Sequence, residues 1–232
     1  MRTVMVTTSW DDGHKHDVRL ARMLKEYGLK ATFYVSPMNR EFAEHDLLTQ
    51  QQIRDISENF EIGAHTVTHP RLPAISQMQA KEEIVRSKII LEEVTGKTVS
   101  TFCYPGGAYT AAHAQFVKDA GYNYARTVAR HSFKVDKPHE AATSLHAYNH
   151  WSDVWKIARF ARLQPVRFLR YLEWGTLARA MFDRAVEEGG VYHIWGHSWE
   201  IDRHNDWERL EGVFRYISGR PGVRYVTNSE LV

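Results

Sequence analysis

The 232-residue chain has a single cysteine, Cys103, which excludes an internal disulfide framework. It has almost no excess charge: 30 Lys+Arg stand against 28 Asp+Glu, a net +2, so charge makes no case for a nucleic-acid partner. No apolar run approaches the roughly 18 residues of a membrane span. The start, Met1-Arg2-Thr3-Val4-Met5-Val6, lacks a signal-peptide run before Thr7 and Ser9 intervene, which predicts a cytoplasmic protein. Repeats, low-complexity tracts and Gly/Ser linkers are also missing, so a single domain over 1–232 is expected. What remains is ordinary globular composition, 43% hydrophobic and 25% charged. A chain of this size can bury enough surface to fold without a metal staple, so a metal here would serve chemistry. The 13 histidines are the unusual supply, able to bind metal or to gain charge below neutral pH. Oligomeric state is not readable from the residues.

Short apolar runs alternate with longer amphipathic segments. Strands are predicted over 3–9, 31–35, 60–64, 101–104, 124–128, 191–194 and 224–227. Helices are predicted over 16–27, 49–59, 76–95, 111–120, 151–162, 177–188 and 207–218, with Thr49 and Ser76 as N-caps and Gly96 as a stop. The βαβα rhythm points to a parallel sheet with helices outside, open or closed into a barrel. Residues 130–149 lack periodicity and read as an excursion over the surface.

In such folds chemistry gathers where strands end, and four predicted strand ends carry unusual residues. Ser9-Trp10-Asp11-Asp12-Gly13 puts two carboxylates side by side, which repel unless a cation or a proton separates their roles. The bland reading is an Asx turn with Gly13 at positive φ. His65-Thr66-Val67-Thr68-His69-Pro70 places histidines at i and i+4, which on one helical turn would set two imidazoles together for a divalent metal. With 13 histidines a chance pair at that spacing is expected, so the motif alone is weak. Tyr104-Pro105-Gly106-Gly107 forces a turn whose exposed N–H groups suit an oxyanion, though a plain tight turn explains it as well. Trp195-Gly196-His197 ends a strand in a histidine, for which a buried structural role is the ordinary explanation. Together the four supply the parts of metal-assisted hydrolysis.

These motifs resemble those of the polysaccharide deacetylases, carbohydrate esterase family four with its NodB-homology domain. The first is similar to that family's T-F-D-D-G, the second to H-[ST]-x-x-H-P, the third to its P-Y-G turn and the fourth to its late L-x-H. The closing Val226-Thr227-Asn228-Ser229-Glu230-Leu231 also resembles the family's end. The resemblance implies a distorted (β/α) barrel of about seven parallel strands with outer helices. It implies removal of an acetyl group, N-acetyl first, from a sugar, oligosaccharide or polysaccharide. By position, Asp12, His65 and His69 would hold one divalent metal, Zn2+ first, with Co2+, Mn2+ or Ni2+ as the other candidates. Asp11 would be the general base acting on the attacking water, the Gly106 N–H the oxyanion donor, and His197 the general acid.

Three positions depart from the family. Cys103 stands where an Arg often pairs with the catalytic carboxylate, and Arg126 is the candidate substitute. Gly106 replaces the Tyr of the third motif, with Tyr109 the candidate to supply an aromatic nearby. The fourth motif, an Asp followed by a Trp, has its nearest counterpart in Asn149-His150-Trp151, which leaves the group that orients His197 unassigned. His193 competes for the acid role but falls inside a predicted strand. His14 and His16 read as a solvated helix start. Tyr104, Tyr109, Arg126, Trp151 and Trp199 are the candidate substrate-binding residues, since tryptophans suit sugar-ring stacking, although core packing explains most of them equally. Two other readings stay open: an amidohydrolase of the same fold acting on a small non-sugar amide, and a non-catalytic carbohydrate-binding protein.

Overall fold

The structure, a computed structural model, describes residues 4–232; Thr3, the first residue of the predicted 3–9 strand, lies outside them. The chain alternates β1 (Val4–Asp12), α1 (Asp17–Glu26), β2 (Ala31–Val35), α2 (Gln50–Ser57), β3 (Glu61–Ala64), α3 (Gln77–Thr95), β4 (Thr101–Cys103), α4 (Ala111–Asp119) and β5 (Tyr124–Arg126). Then follow β6 (Leu145–His146), α5 (Val154–Phe160), α6 (Pro165–Tyr171), α7 (Trp174–Glu188), β7 (Gly190–Gly196), α8 (Ser198–Arg203), α9 (Trp207–Ile217) and β8 (Val223–Tyr225). Thr49 and Ser76 each close a capping box with the Gln three residues on, and Gly96 ends α3 at φ 66°. Each cap satisfies helix-end N–H groups and is worth about 1 kcal/mol.

Every strand pairing is parallel, in the order β5-β4-β3-β2-β1-β7-β6. One edge of β1 runs along β7; the other meets β8 over Val4–Val6 and β2 from Thr8 onward. Beyond β6 the ring is drawn together by a parallel bridge between Arg126 and Ala141, with the Thr127 N–H donating to the Ala141 carbonyl at 2.9 Å. The result is the expected distorted barrel with helices outside, a path of seven strands with an eighth, β8, paired to β1. Residues 130–149 therefore do more than cross the surface: they contain β6 and most of the closure.

Alternation along the strands sorts side chains into two layers. One row packs on the helices, as Trp10 does edge-on against Phe214 of α9 at 6.0 Å and Phe33 against Phe60. The other row faces inward and is largely polar: Thr7, Ser9, Asp11, Tyr34, Cys103, Arg126 and His193 are all buried there. Ser9 Oγ lies 2.8 Å from His193 Nε2, and Thr7 donates to Asn228 Oδ1 at 2.9 Å. Gly63 belongs to this row because a Cβ would meet the Tyr34 ring at 2.5 Å. Registers Trp10↔Gly196, Asp12↔Val35 and Cys103↔Arg126 then align the strand ends that carry the motifs.

Local departures have physical causes. The predicted helix over 151–162 is a 3-10 turn, Trp151–Asp153, leading into α5, which stops because Arg162 and Leu163 take φ of 54° and 56°. The short helices α6 and α8 were not expected. Among the described residues no helix is long and apolar enough to cross a membrane.

Candidate active site

Strand β1 carries Asp11 and Asp12 to the carboxyl end of the sheet, where the chain turns sharply. Asp12 has φ 84° and Gly13 φ 72°, and a Cβ on Gly13 would press on Val35 Cγ1 at 2.8 Å. Asp11 keeps the inward direction, while the turn re-aims Asp12. The His65–His69 segment is not a helical turn, contrary to the i, i+4 argument. It is an irregular loop with Thr66 at φ 64° and His69 at φ 60°. The loop is tied down by Glu83 of α3, whose carboxylate accepts from the N–H groups of Val67 and Thr68 at 2.8 and 2.9 Å. Positive φ in residues other than glycine costs about 1–3 kcal/mol each and persists where surroundings enforce it.

The loop still delivers the two imidazoles. His65 Nε2 and His69 Nε2 lie 3.2 Å apart, and each faces Asp12 Oδ1, at 3.6 and 3.3 Å. His65 Nδ1 is 2.7 Å from the Cys103 carbonyl, which can only accept, so Nδ1 carries the proton and Nε2 offers its lone pair. Burial, with His69 adding to it, lowers the His65 pKa to about 4, so the ring is neutral near pH 7. Asp12 Oδ2 accepts from the Trp199 indole N–H at 2.7 Å, whereas Oδ1 is buried with no hydrogen-bond partner. A buried carboxylate oxygen facing two imidazole Nε2 atoms is a donor set that fits a divalent metal.

A neighbouring group, Asp11, His65 and Cys103, also brings donor atoms together. It suits a cation less well. Burial pushes the Cys103 thiol well above its usual range, so it stays protonated, and Arg126 already occupies Asp11 Oδ2. Arg126 is fully buried, with its guanidinium 4.4 Å above the Trp195 ring. Burial alone would raise the Asp11 pKa, but Arg126, together with His65 and His197, outweighs it and holds the carboxylate at about 2. Asp11 Oδ1 remains buried and unpartnered, a free acceptor beside the Asp12 group.

His197 follows β7 and N-caps α8. Its Nε2 is 4.0 Å from Asp12 Oδ2 and its Nδ1 3.1 Å from Glu200 Oε2. Burial opposes its protonation, yet Asp12 and Glu200 raise its pKa to about 9, so it carries a proton near neutral pH. The same Glu200 oxygen lies 3.1 Å from His146 Nε2, and His146 Nδ1 lies 2.7 Å from His150 Nε2. Burial lowers the His146 pKa to about 3, leaving it neutral with one N–H. A consistent assignment runs His150 N–H to His146 and His197 N–H to Glu200, with His146 Nε2 close to the same carboxylate but outside hydrogen-bond geometry. Sequence reasoning missed both Glu200 and His146. A short helix after His197, putting Glu200 at i+3, was the available signal.

The remaining predicted residues scatter. Gly106 sits at φ 57° in the exposed 3-10 turn Pro105–Gly107, beside the His69 loop through Arg71. Tyr104 is fully buried and its hydroxyl donates to the His139 carbonyl at 2.8 Å, and Arg126 is fully buried in the barrel beside Asp11. Tyr109 stacks on Tyr104 at 4.3 Å and donates to Glu140 at 2.9 Å, at the rim. Trp199 serves Asp12 with its indole N–H. Trp151 is 87% exposed, on the lip of a cavity of about 710 Å3 that reaches His146 and His150. His193 lies inside β7, and burial holds its pKa well below the usual value. His14 is buried against Phe42 rather than solvated.

Comparison with known proteins agrees with the geometry. The polysaccharide deacetylase family model matches residues 2–125, more than half of the chain. The chain belongs to the polysaccharide deacetylase family. It is 25% identical over 119 residues to YxkH of Bacillus subtilis (strain 168), covering 50% of this chain and 42% of that protein. The Streptococcus pyogenes deacetylase PplD, solved in complex with acetate, matches at 25% identity and TM-score 0.50, over 53% of this chain and 55% of PplD. The chain thus spans about half the length of these relatives. A Mycobacterium smegmatis structure shares the fold over 99% of this chain and 89% of its own, with TM-score 0.69 at 16% identity.

Proposed function

We propose that this chain is a metal-dependent hydrolase that removes an acetyl group, N-acetyl first, from a sugar or oligosaccharide. The observation that carries the reading is the unpartnered, buried Asp12 Oδ1 facing the Nε2 atoms of His65 and His69. Those three residues would hold the cation, and two imidazoles with one carboxylate suit Zn2+, with Co2+, Mn2+ or Ni2+ next. Such a cation polarises a carbonyl oxygen and acidifies water.

The chain's own groups divide the rest of the work. Asp11, kept ionised by Arg126, takes the proton of the attacking water on its free Oδ1. The Gly106 N–H, in its exposed turn, would meet the oxyanion as charge develops there. His197 gives its Nε2 proton to the leaving nitrogen, which is a poor leaving group until protonated. Glu200 fixes the ring by holding Nδ1–H, so that Nε2 faces the reacting bond. The acetate bound in the Streptococcus pyogenes relative supports the size of the acyl group.

Metal analysis of the purified protein, followed by acetate release from N-acetylglucosamine oligomers with and without chelator, tests this. Bound divalent metal with chelator-sensitive acetate release is expected. Metal-loaded protein that releases no acetate from any acetylated sugar would shift the substrate to a small non-sugar amide.

A further inference from the structure

The helical hairpin formed by α5 and α6 is built against the usual logic of a water-soluble surface. Between 154 and 172 the sequence is VWKIARFARLQPVRFLRYL, which holds five cations, Lys156, Arg159, Arg162, Arg167 and Arg170, and no carboxylate. None of the five forms an ion pair among the described residues. The nearby acids are already engaged: Asp153 with Arg130, and Glu173 with Arg209 and the N-terminus of α7. A chain whose net charge is only +2 has thus gathered five unpaired positive charges on one short stretch.

Ile157, Phe160, Phe168 and Tyr171 tie the hairpin to the core, but its other large apolar side chains have no cover. Helix α6 has no buried residue, although it contains Val166, Phe168, Leu169 and Tyr171. Trp155 is 79% exposed, Leu163 74%, Val166 73% and Leu169 66%. The left-handed conformations at Arg162 and Leu163 form the bend that turns Leu163 outward between the helices. A helix packed on a core hides its apolar stripe, and contiguous exposed apolar surface marks an interaction site. Beside α5 lies a hollow of about 530 Å3 lined by Lys156, Arg159 and Arg184 among other cations, with no carboxylate on its wall.

We propose that the α5–α6 hairpin docks this protein onto an anionic lipid bilayer. Both helices have seven residues, far too short to cross, but a pair lying flat would bury Trp155, Leu163, Val166 and Leu169 at the level of the headgroups. The five cations would then meet lipid phosphates, each adding to the attraction. Charge decides between occupants. A second copy seated on the same face would bring five cations against five, whereas a negatively charged surface complements them. The hairpin also borders the cavity that reaches His146, so docking would leave the His146–Glu200–His197 chain close to the lipid surface.

Vesicle flotation tests this without reference to catalysis. The chain should float with vesicles of phosphatidylglycerol and phosphatidylcholine in equal parts at low salt, and not with phosphatidylcholine alone. Removing two charges by Arg162→Gln with Arg167→Gln should weaken that binding about thirtyfold. Trp155→Ser with Leu169→Ser should weaken it about tenfold or more. All four positions are exposed, so thermal melts and acetate release from soluble oligomers should be unchanged. Failure of the unaltered chain to float, or equal flotation of the variants, would overturn the proposal. So would a concentration-dependent dimer in sedimentation velocity that Trp155→Ser with Leu169→Ser dissolves, since it would give the face to a second copy.

Discussion

A guanidinium sealed inside a barrel is expensive, because each buried ion loses several kcal/mol of hydration. Arg126 is tolerated because Asp11 is buried with it, and the attraction wins: the carboxylate stands at about 2 instead of 3.8. Arg126→Met would leave Asp11 unpaired in a dry site, and about 3–5 kcal/mol of unfolding free energy should be lost at neutral pH. The sign follows from the depressed pKa. The stabilisation is fully present above the ordinary carboxylate pKa and fades as pH falls from about 4 towards about 2. Urea melts at pH 7 and pH 3 should therefore show the gap between parent and variant shrinking on acidification. The acid limb of the activity profile should also move up in the variant, because the base protonates more readily. A constant gap and an unmoved limb would mean that the pair neither stabilises the barrel nor tunes Asp11. The pairing was foreseeable from sequence because a family position normally held by Arg is Cys103, while a strand-end Arg stands on the next strand of the chain. Its depth was not: nothing in the residues said that the barrel interior would be the polar layer.

Elements explain which parts of the site could be read and which could not. Strands β1 to β5 alternate with amphipathic helices, three of which, α2, α3 and α4, open on capping boxes, so the strand ends and the Asp11, Asp12, His65 and His69 motifs on them were legible. The two-residue β6 was not, because its pairing depends on β7, arriving about fifty residues later, and on an irregular closure around Ala141. Hidden with it was His146, and hidden in the six-residue α8 was Glu200. That helix compresses three functions into one turn: His197 at its cap, Trp199 on Asp12 and Glu200 on His197. Glu200→Gln keeps the shape but removes the charge that fixes the His197 tautomer and supports its proton. Hydrolysis of an N-acetyl sugar should fall about a hundredfold or more in kcat, in the range of general acid catalysis. Hydrolysis of 4-nitrophenyl acetate should change little, because its phenolate leaves without a proton. Equal loss on both substrates, or loss of bound metal, would make Glu200 a structural residue.

The whole molecule separates its stability from its chemistry along the strand axis. At the amino end of the sheet, fully buried Asn228 accepts from Thr7 at 2.9 Å, donates to the Tyr34 hydroxyl at 2.8 Å and places its N–H on Thr32 and Glu61. Strands β1, β2 and β3 are thereby pinned to the C-terminal strap, and the Asn228 side chain has a partner on both its oxygen and its nitrogen. At the carboxyl end the balance is reversed, with Asp11 Oδ1 and Asp12 Oδ1 left unsatisfied and positive φ at Asp12, Thr66 and His69. The two ends should respond oppositely to substitution. Asn228→Ala strands the Thr7 and Tyr34 hydroxyls and should cost about 1–3 kcal/mol in chelator-treated protein, with metal affinity intact. Asp12→Ala removes a carboxylate whose Oδ1 is buried and unpartnered, which offsets the lost Oδ2 bond to the Trp199 indole, so the chelator-treated protein should melt close to its parent. What it should lose is the rise in Tm on adding Zn2+, which for a ligand at a hundred times its Kd is worth about 2.7 kcal/mol. Calorimetry of both variants with and without Zn2+ checks the pair, and an Asp12→Ala protein that still gains Tm from the metal would place the cation elsewhere.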